Sequence, residues 1–267
     1  MSCKTILNEN RAYWAQRAPG YSQVNQKELR TGQHTVWRHT LSEKILEQFP
    51  GRCLEELHVL EAGTGPGFFA IILAELGCNV TAIDLTPNML AEAKKNAGSL
   101  ASRIRFMEMN AETLDFTDGS FDVIITRNLT WNLPHPENAY REWERVLKPG
   151  GLLLNFDANW YNYLFDKSAR DAYDEDRRNT AEQGFKDENV GENFDVMEDI
   201  ARRIPLSQVS RPAWDLEVLL GLGLSVTVEE DIWQQVWSEE EKVSFASTPM
   251  FLVKAVKLEQ GNVLRQI

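Results

Sequence analysis

Glu61, Gly63, Gly65 and Gly67 stand at every second position in the stretch Val59–Ala70, with a short apolar run before them and a helix-like apolar segment after. Glycine lets a turn take positive φ and lets a ligand lie against bare backbone. A helix that starts just beyond such a turn directs unpaired N–H groups at whatever sits there. Strand, tight glycine turn and helix together form the pattern of a nucleotide-type cofactor site. Asp84 follows Gly63 by 21 residues and ends the next apolar run, where two carboxylate oxygens can hold a ribose diol. The glycines alone admit two kinds of cofactor. The spacing G-x-G-x-x-G brings backbone to a pyrophosphate, as for NAD. Here it is G-x-G-x-G, and Glu61 would repel a pyrophosphate but suit a cationic amine or sulfonium. The balance moves from NAD towards S-adenosylmethionine.

The elements that must position these residues follow from periodicity. Strands are expected at Leu57–Glu61, Asn79–Asp84, Arg103–Met109, Phe121–Thr126 and Leu152–Phe156. Helices are expected at Pro66–Leu76, at Pro87–Ala97 with Thr86 as N-cap, and around the stripe Ala139, Trp143, Val146, Leu147. Lys148-Pro149-Gly150-Gly151 reads as the turn ending that last helix. Strands alternating with helices imply a doubly wound, mostly parallel α/β sheet, with ligands beyond the carboxyl ends of its strands. Glu112 with Asn110 and Ala111, then Arg127 with Asn128, stand at two further strand exits. Residues 1–50 read as a helical cap, broken into short helices at Pro19-Gly20, and 51–159 as the cofactor core. Residues 160–212 read as a helical insertion, equally suited to a substrate lid and to a solvated cap. Residues 213–258 complete the sheet, and 259–267 form a loose tail.

Bulk properties narrow the partner. A net charge of −12 with no bunched Lys or Arg makes nucleic acid unlikely and a small molecule the better substrate. No apolar run reaches membrane-spanning length, and Met1–Glu9 lacks the apolar core of a secretory signal. Cys3, Cys53 and Cys78 are odd in number and widely spaced, which fits reduced thiols in the cytoplasm.

Four segments in register carry a family resemblance. Glu61-Ala62-Gly63-Thr64-Gly65-Pro66-Gly67 resembles the first motif of class I S-adenosylmethionine-dependent methyltransferases, of the type 11-like kind, and Ala82–Leu90 resembles their acidic second motif. Leu133–Glu137 and Arg145–Leu152 resemble the fourth-strand exit and the turn before strand five. The resemblance covers residues 57–158. It implies a Rossmann-like seven-stranded sheet with an antiparallel last strand, S-adenosyl-L-methionine as cofactor and S-adenosyl-L-homocysteine as product. It places Gly63, Gly65 and Gly67 against the methionine part and ribose, and Asp84 on the ribose hydroxyls. Leu85 and Met89 then lie against the adenine, and Asn110, Ala111 and Glu112 beside its amine. Arg127 and Asn128 would sit under the methionine end. Tyr13, Trp14, Arg17 and Tyr21 resemble a helix that closes over the cofactor, and are equally suited to simple packing.

No catalytic base stands out, and orientation suffices for a nucleophile that is already unprotonated. His135, Trp131 and Tyr21 are the catalytic candidates; His135, between two prolines, suits a turn better than a base. Trp37, Trp131, Trp160 and Tyr161 are candidates to line an apolar or cation-binding acceptor pocket, or core. His34, His39 and Asp157 are undecided. No metal site is expected, since acidic pairs after strands four and five are missing, and the lack of an Asn/Asp-Pro-Pro-Tyr motif after strand four counts against an amino-directed nucleic-acid methyltransferase. The readings that remain are methyl transfer to a small molecule, transfer of another group from the same cofactor, a non-catalytic cofactor-binding protein, and, most weakly, an NAD-dependent oxidoreductase.

Overall fold

The computed structural model describes residues 3–187 and 194–259. Seven strands form one sheet: β1 (His58–Ala62), β2 (Asn79–Asp84), β3 (Ile104–Glu108), β4 (Phe121–Arg127), β5 (Leu147–Asp157), β6 (Leu224–Glu229) and β7 (Phe251–Lys257). Their spatial order is β3-β2-β1-β4-β5-β7-β6. All neighbours from β3 through β5 are parallel, while β7 runs antiparallel to both β5 and β6. The sequence order reverses between β1 and β4, so the crevice for a ligand opens there. The fold is the Rossmann-like seven-stranded one expected.

Alternation along the strands divides the core in two. Val59, Val123, Ile125, Leu152, Leu154 and Phe156 face one layer, which includes α2 (Gly32–Gln48) and α3 (Phe68–Glu75). Leu60, Ile124 and Leu153 face the other, beneath α5 (Pro136–Val146) and α8 (Ala213–Gly221). Trp37 belongs to the first layer. It is 1% exposed and packs edge-on against Phe68, Phe69 and Phe156, so it is core and does not line an acceptor pocket.

Several boundaries differ from expectation. α1 (Cys3–Arg30) is one helix that passes through Pro19-Gly20 without a break. Proline costs a helix one hydrogen bond and a local clash. Here the flanking turns are tied down elsewhere: Ala18 is buried, and Ser22 and Gln26 bond Asn96 of α4 (Pro87–Ala97). β5 starts at Leu147, with a register irregularity opposite Phe121 and Val123, so Lys148–Gly151 lies within the strand rather than in a turn. Past β5 the chain forms α6 (Lys167–Glu182), α7 (Phe194–Ala201), α8, and then α9 (Trp233–Val236) and α10 (Glu239–Ser244), the last two unforeseen. Most of the expected tail, like residues 188–193, lies outside the described residues. No helix among the described residues is long and apolar enough to cross a membrane.

Candidate functional site

A cavity opens at the carboxyl ends of β1, β2 and β4, where the strand order reverses. Its floor is the turn after β1. Gly63, Gly65 and Gly67 all have positive φ, at 68°, 51° and 93°. At Gly63 a Cβ would stand 2.7 Å from Leu129 Cδ1, so a side chain there is blocked by both conformation and space. Gly65 donates its N–H to Asp84 Oδ2 at 2.9 Å, and Thr86 donates its own to Oδ1 at 2.8 Å. Asp84 thereby ties the glycine turn to the end of β2. Burial raises its pKa, against the pull of these backbone donors.

Glu61, two residues ahead of the turn, is 4% exposed and accepts the Thr64 hydroxyl at 2.5 Å. Burial pushes its carboxyl up to about 8. Such a group stays protonated near neutrality until a positive charge arrives beside it. Leu85, Met89, Asn110 and Ala111 complete the wall on the β2–β3 side.

α1 roofs the cavity. Leu7, Asn10, Arg11, Trp14, Tyr21 and Asn25 of this helix line it. The helix is held by contacts along its length. Asn10 Nδ2 donates to Asn132 O at 2.8 Å, Arg11 pairs with Glu108 at the end of β3, and the Tyr21 ring lies 3.7 Å from where a Gly65 Cβ would be. Glu28 receives a two-pronged bond from Arg127, at 2.8 and 2.9 Å. Burial works against the Arg127 charge, but the Glu28 carboxylate outweighs it and holds the guanidinium above its ordinary pKa. The rings of Phe68, Trp37 and Phe69 surround the guanidinium carbon at 4.4, 5.5 and 5.4 Å. Next to it, Asn128 is the only non-glycine residue with positive φ among the described residues, at 56°. Asparagine is the side chain that tolerates this best.

Trp14, Tyr21, Arg127 and Asn128 also line a second, larger cavity. Trp131, Trp160 and Tyr161 stand in its wall, together with Tyr163, Tyr173 and Arg177 of the insertion and Trp237, Phe245 and Met250 near the carboxyl end. Trp131 stacks on Tyr161 with ring centroids 5.0 Å apart. Its Nε1–H donates to Asn128 O at 2.9 Å, and its backbone N–H donates to Asp157 Oδ2 at 2.9 Å.

The expected site residues do not all meet. Tyr13 lines the second cavity and packs with Trp131, Met197 and Ile200, away from the first. Gly67 lines neither: its would-be Cβ stands 3.0 Å from Ala93 Cβ, so its bareness lets the start of α3 approach α4. Glu112 also lines neither, because its carboxylate turns to accept the His135 N–H at 2.5 Å. His135 holds the N-cap position of α5 outside both cavities, which removes it from the candidates for a base. Asn10, Asn25 and Glu28 were not among the expected site residues. Read as one unbroken helix, residues 10–28 would have shown them on the same stripe as Trp14 and Tyr21.

Residues 60–155 match the sequence model of the family described as Methyltransferase domain. Residues 60–155 form a methyltransferase domain. It is 35% identical over 139 residues to a demethylmenaquinone methyltransferase of Thermus thermophilus, covering 51% of this chain and 60% of that protein. It is 34% identical over 159 residues to a ubiquinone/menaquinone biosynthesis C-methyltransferase, UbiE, of Bartonella tribocorum, covering 56% and 59%. The matches therefore span less than two thirds of these relatives' lengths. Among solved structures, a SAM-dependent methyltransferase of Aquifex aeolicus shares the fold, with a TM-score of 0.53 at 17% identity over 87% of this chain and 97% of that one. The family match ends at residue 155, before Trp160, Tyr161 and Arg177 of the second cavity.

Proposed function

We propose that this methyltransferase domain is an active enzyme that binds S-adenosyl-L-methionine in the first cavity and methylates a small molecule held in the second. One observation carries the reading. Asn10 Oδ1, Asn128 Oδ1 and Asn132 Oδ1 are buried without any hydrogen-bond partner, and all three residues line the first cavity beside the protonated Glu61. Buried acceptors left unpaired cost roughly 1–3 kcal/mol each, and a ligand rich in donors removes that cost. The cofactor has an ammonium group, two ribose hydroxyls and an adenine amine to offer them.

Within this reading Glu61 meets positive charge, Asp84 takes ribose hydroxyls on its remaining lone pairs, and Leu85 and Met89 flank an apolar ring. When bound, the cofactor would supply an electrophilic methyl carbon to an acceptor lone pair, with any proton displaced from the acceptor passing to solvent. Residues at the junction of the cavities hold rather than deprotonate. The Arg127 charge is neutralised by Glu28, and burial raises the Tyr21 hydroxyl pKa, which keeps it a proton donor. Asn128 Oδ1 has two lone pairs, so beside a cofactor donor it can also accept an O–H or N–H of the acceptor. Positioning is thus the main contribution, which an entropic argument allows to be large. Cys53 and Cys78 are free thiols, which fits a reducing compartment such as the cytoplasm.

Calorimetric titration with S-adenosyl-L-methionine and S-adenosyl-L-homocysteine tests the first half of the proposal. Wild type should bind both, and Asp84→Ala should lose about tenfold or more in affinity; undiminished binding by the variant would contradict the assignment. Mass analysis of products tests the second half: the acceptor must gain one CH₂ unit as S-adenosyl-L-homocysteine accumulates.

A further inference from the structure

The orphaned polar atoms of the second cavity have the opposite character from those of the first. Apart from Asn128 at the junction, they are all donors: Arg17 Nε, Trp160 Nε1 and Arg177 Nε are buried with no hydrogen-bond partner. The charges of the wall sharpen this. Lys27 pairs with Glu240, Arg127 with Glu28, and Arg177 with Asp187. Arg17 makes no ion pair or hydrogen bond among the described residues, although its field reaches the Tyr13 and Tyr161 hydroxyls. Arg17 is half-buried, but its Nε–H is shielded from water and its permanent charge has no counter-ion among the described residues. An anion would satisfy both.

The carboxylates of the same wall are already engaged by the protein's own donors. Glu28 is held by Arg127 and Asn25, Glu240 by Lys27, Glu241 by Gln33 and Ser238, and Asp176 by the Ser247 N–H. An aromatic cage for an ammonium group requires open ring faces. Those of Tyr163 and Tyr173 are covered by the protein's own Arg170, at 5.2 and 5.4 Å, and Tyr173 and Phe245 also by Arg177, at 4.9 and 6.0 Å. A guanidinium fork suits carboxylate and phosphate alike, but one guanidinium charge balances one carboxylate and would leave a phosphate dianion with a charge in excess. The stacked pair Trp131–Tyr161 beside Arg17 offers a flat apolar wall for the rest of such a molecule.

We propose that the acceptor is a small aromatic or conjugated carboxylic acid, its carboxylate held by Arg17, with the Trp160 indole N–H and Arg177 Nε–H as further donors. This deepens the methyltransferase reading and rests on it for the word acceptor, but the binding claim can be tested by itself. Arg17 lies one helical turn from Tyr13 and Tyr21 on α1, the helix that roofs the cofactor cavity. Binding of the acid at Arg17 therefore sets its ring near the junction where Tyr21 and Asn128 stand.

The test uses the full chain, with and without saturating S-adenosyl-L-homocysteine, titrated with benzoate and indole-3-acetate. Benzamide, indole-3-acetamide, phenyl phosphate and phenyltrimethylammonium serve as comparators. Each carboxylate should bind at least about tenfold more tightly than its amide, the equivalent of about 1.4 kcal/mol. Arg17→Gln should abolish that preference while binding S-adenosyl-L-homocysteine as wild type does, which also reports an intact fold. Arg17→Lys should restore part of it. Equal binding of acid and amide, a preference for phenyl phosphate or phenyltrimethylammonium, or a preference that survives in Arg17→Gln would overturn the proposal. Failure to bind S-adenosyl-L-homocysteine would instead sink the cofactor assignment, and the carboxylate comparison would still read out separately.

Discussion

Glu61 joins the sequence motif to a measurable property of the site. Its folded pKa of about 8 lies above that of an unfolded glutamate. The sign follows: this carboxyl stabilises the fold fully below the unfolded value, and the contribution is lost as pH rises through about 8. A cationic ligand beside it favours the ionised form, so binding below that pH must expel a proton. Affinity for S-adenosyl-L-methionine should therefore rise as pH goes from about 6 to about 7.5, by less than tenfold per unit. Glu61→Gln should flatten the slope and weaken binding. Calorimetry in two buffers of different ionisation enthalpy counts the proton directly; no proton released would disprove the coupling. Gly67 makes a contrasting case. Gly67→Ala meets both a φ of 93° and Ala93 Cβ at 3.0 Å, and should cost about 1–3 kcal/mol in denaturant unfolding. Its effect on cofactor affinity should be small, because Gly67 does not line the cavity.

At the scale of elements, α1 decides how the site is closed, and it is where sequence and structure part most. Strands and their exits were legible because apolar alternation and glycine turns are local signals. That made Glu61, Gly63, Gly65, Asp84, Leu85, Met89 and Asn110 readable as neighbours. α1 was obscured by Pro19-Gly20, a local break signal that its packing on α4 and across the cavity overrides. Trp37 looked the same as Trp131 in sequence, and only tertiary packing separates core from wall. Glu28 could not be read at all, since its partner is 99 residues away. The pair it forms is nearly dry, with side-chain exposures of 6% for Glu28 and 11% for Arg127. Glu28→Gln leaves the Arg127 charge buried and unpaired, which should cost about 3–5 kcal/mol. Chemical denaturation measures this; a loss below about 1 kcal/mol, typical of exposed pairs, would mean that water reaches the guanidinium.

At the scale of the whole molecule, one buried polar cluster binds the end of the insertion and the start of α8 to the sheet and to the wall of the second cavity. Arg211, wholly buried, donates to Asp157 Oδ2 at 2.7 Å and to Asp215 at 2.6 and 2.8 Å. Tyr140 of α5 donates to Asp215, and Asn155 of β5 donates to the Tyr140 hydroxyl at 2.8 Å. Asp157 also accepts the Trp131 N–H, so the cluster reaches the loop after β4. Arg211→Met would leave two buried carboxylates without their cation, a change expected to cost about 3–5 kcal/mol at neutral pH. Burial already raises the Asp157 pKa, and Arg211 is what restrains it. Removing Arg211 lets that pKa climb further. The contribution of a carboxyl with raised folded pKa is present at low pH and lost as pH increases. The deficit of Arg211→Met should accordingly shrink as pH is lowered from neutrality, while loss of a merely packing residue would give a deficit independent of pH. In the surviving folded fraction, the loosened Trp131 should raise KM for the acceptor more than Kd for the cofactor, since Trp131 lines only the second cavity. Parallel measurement of unfolding free energy, KM and Kd across that pH range separates these effects.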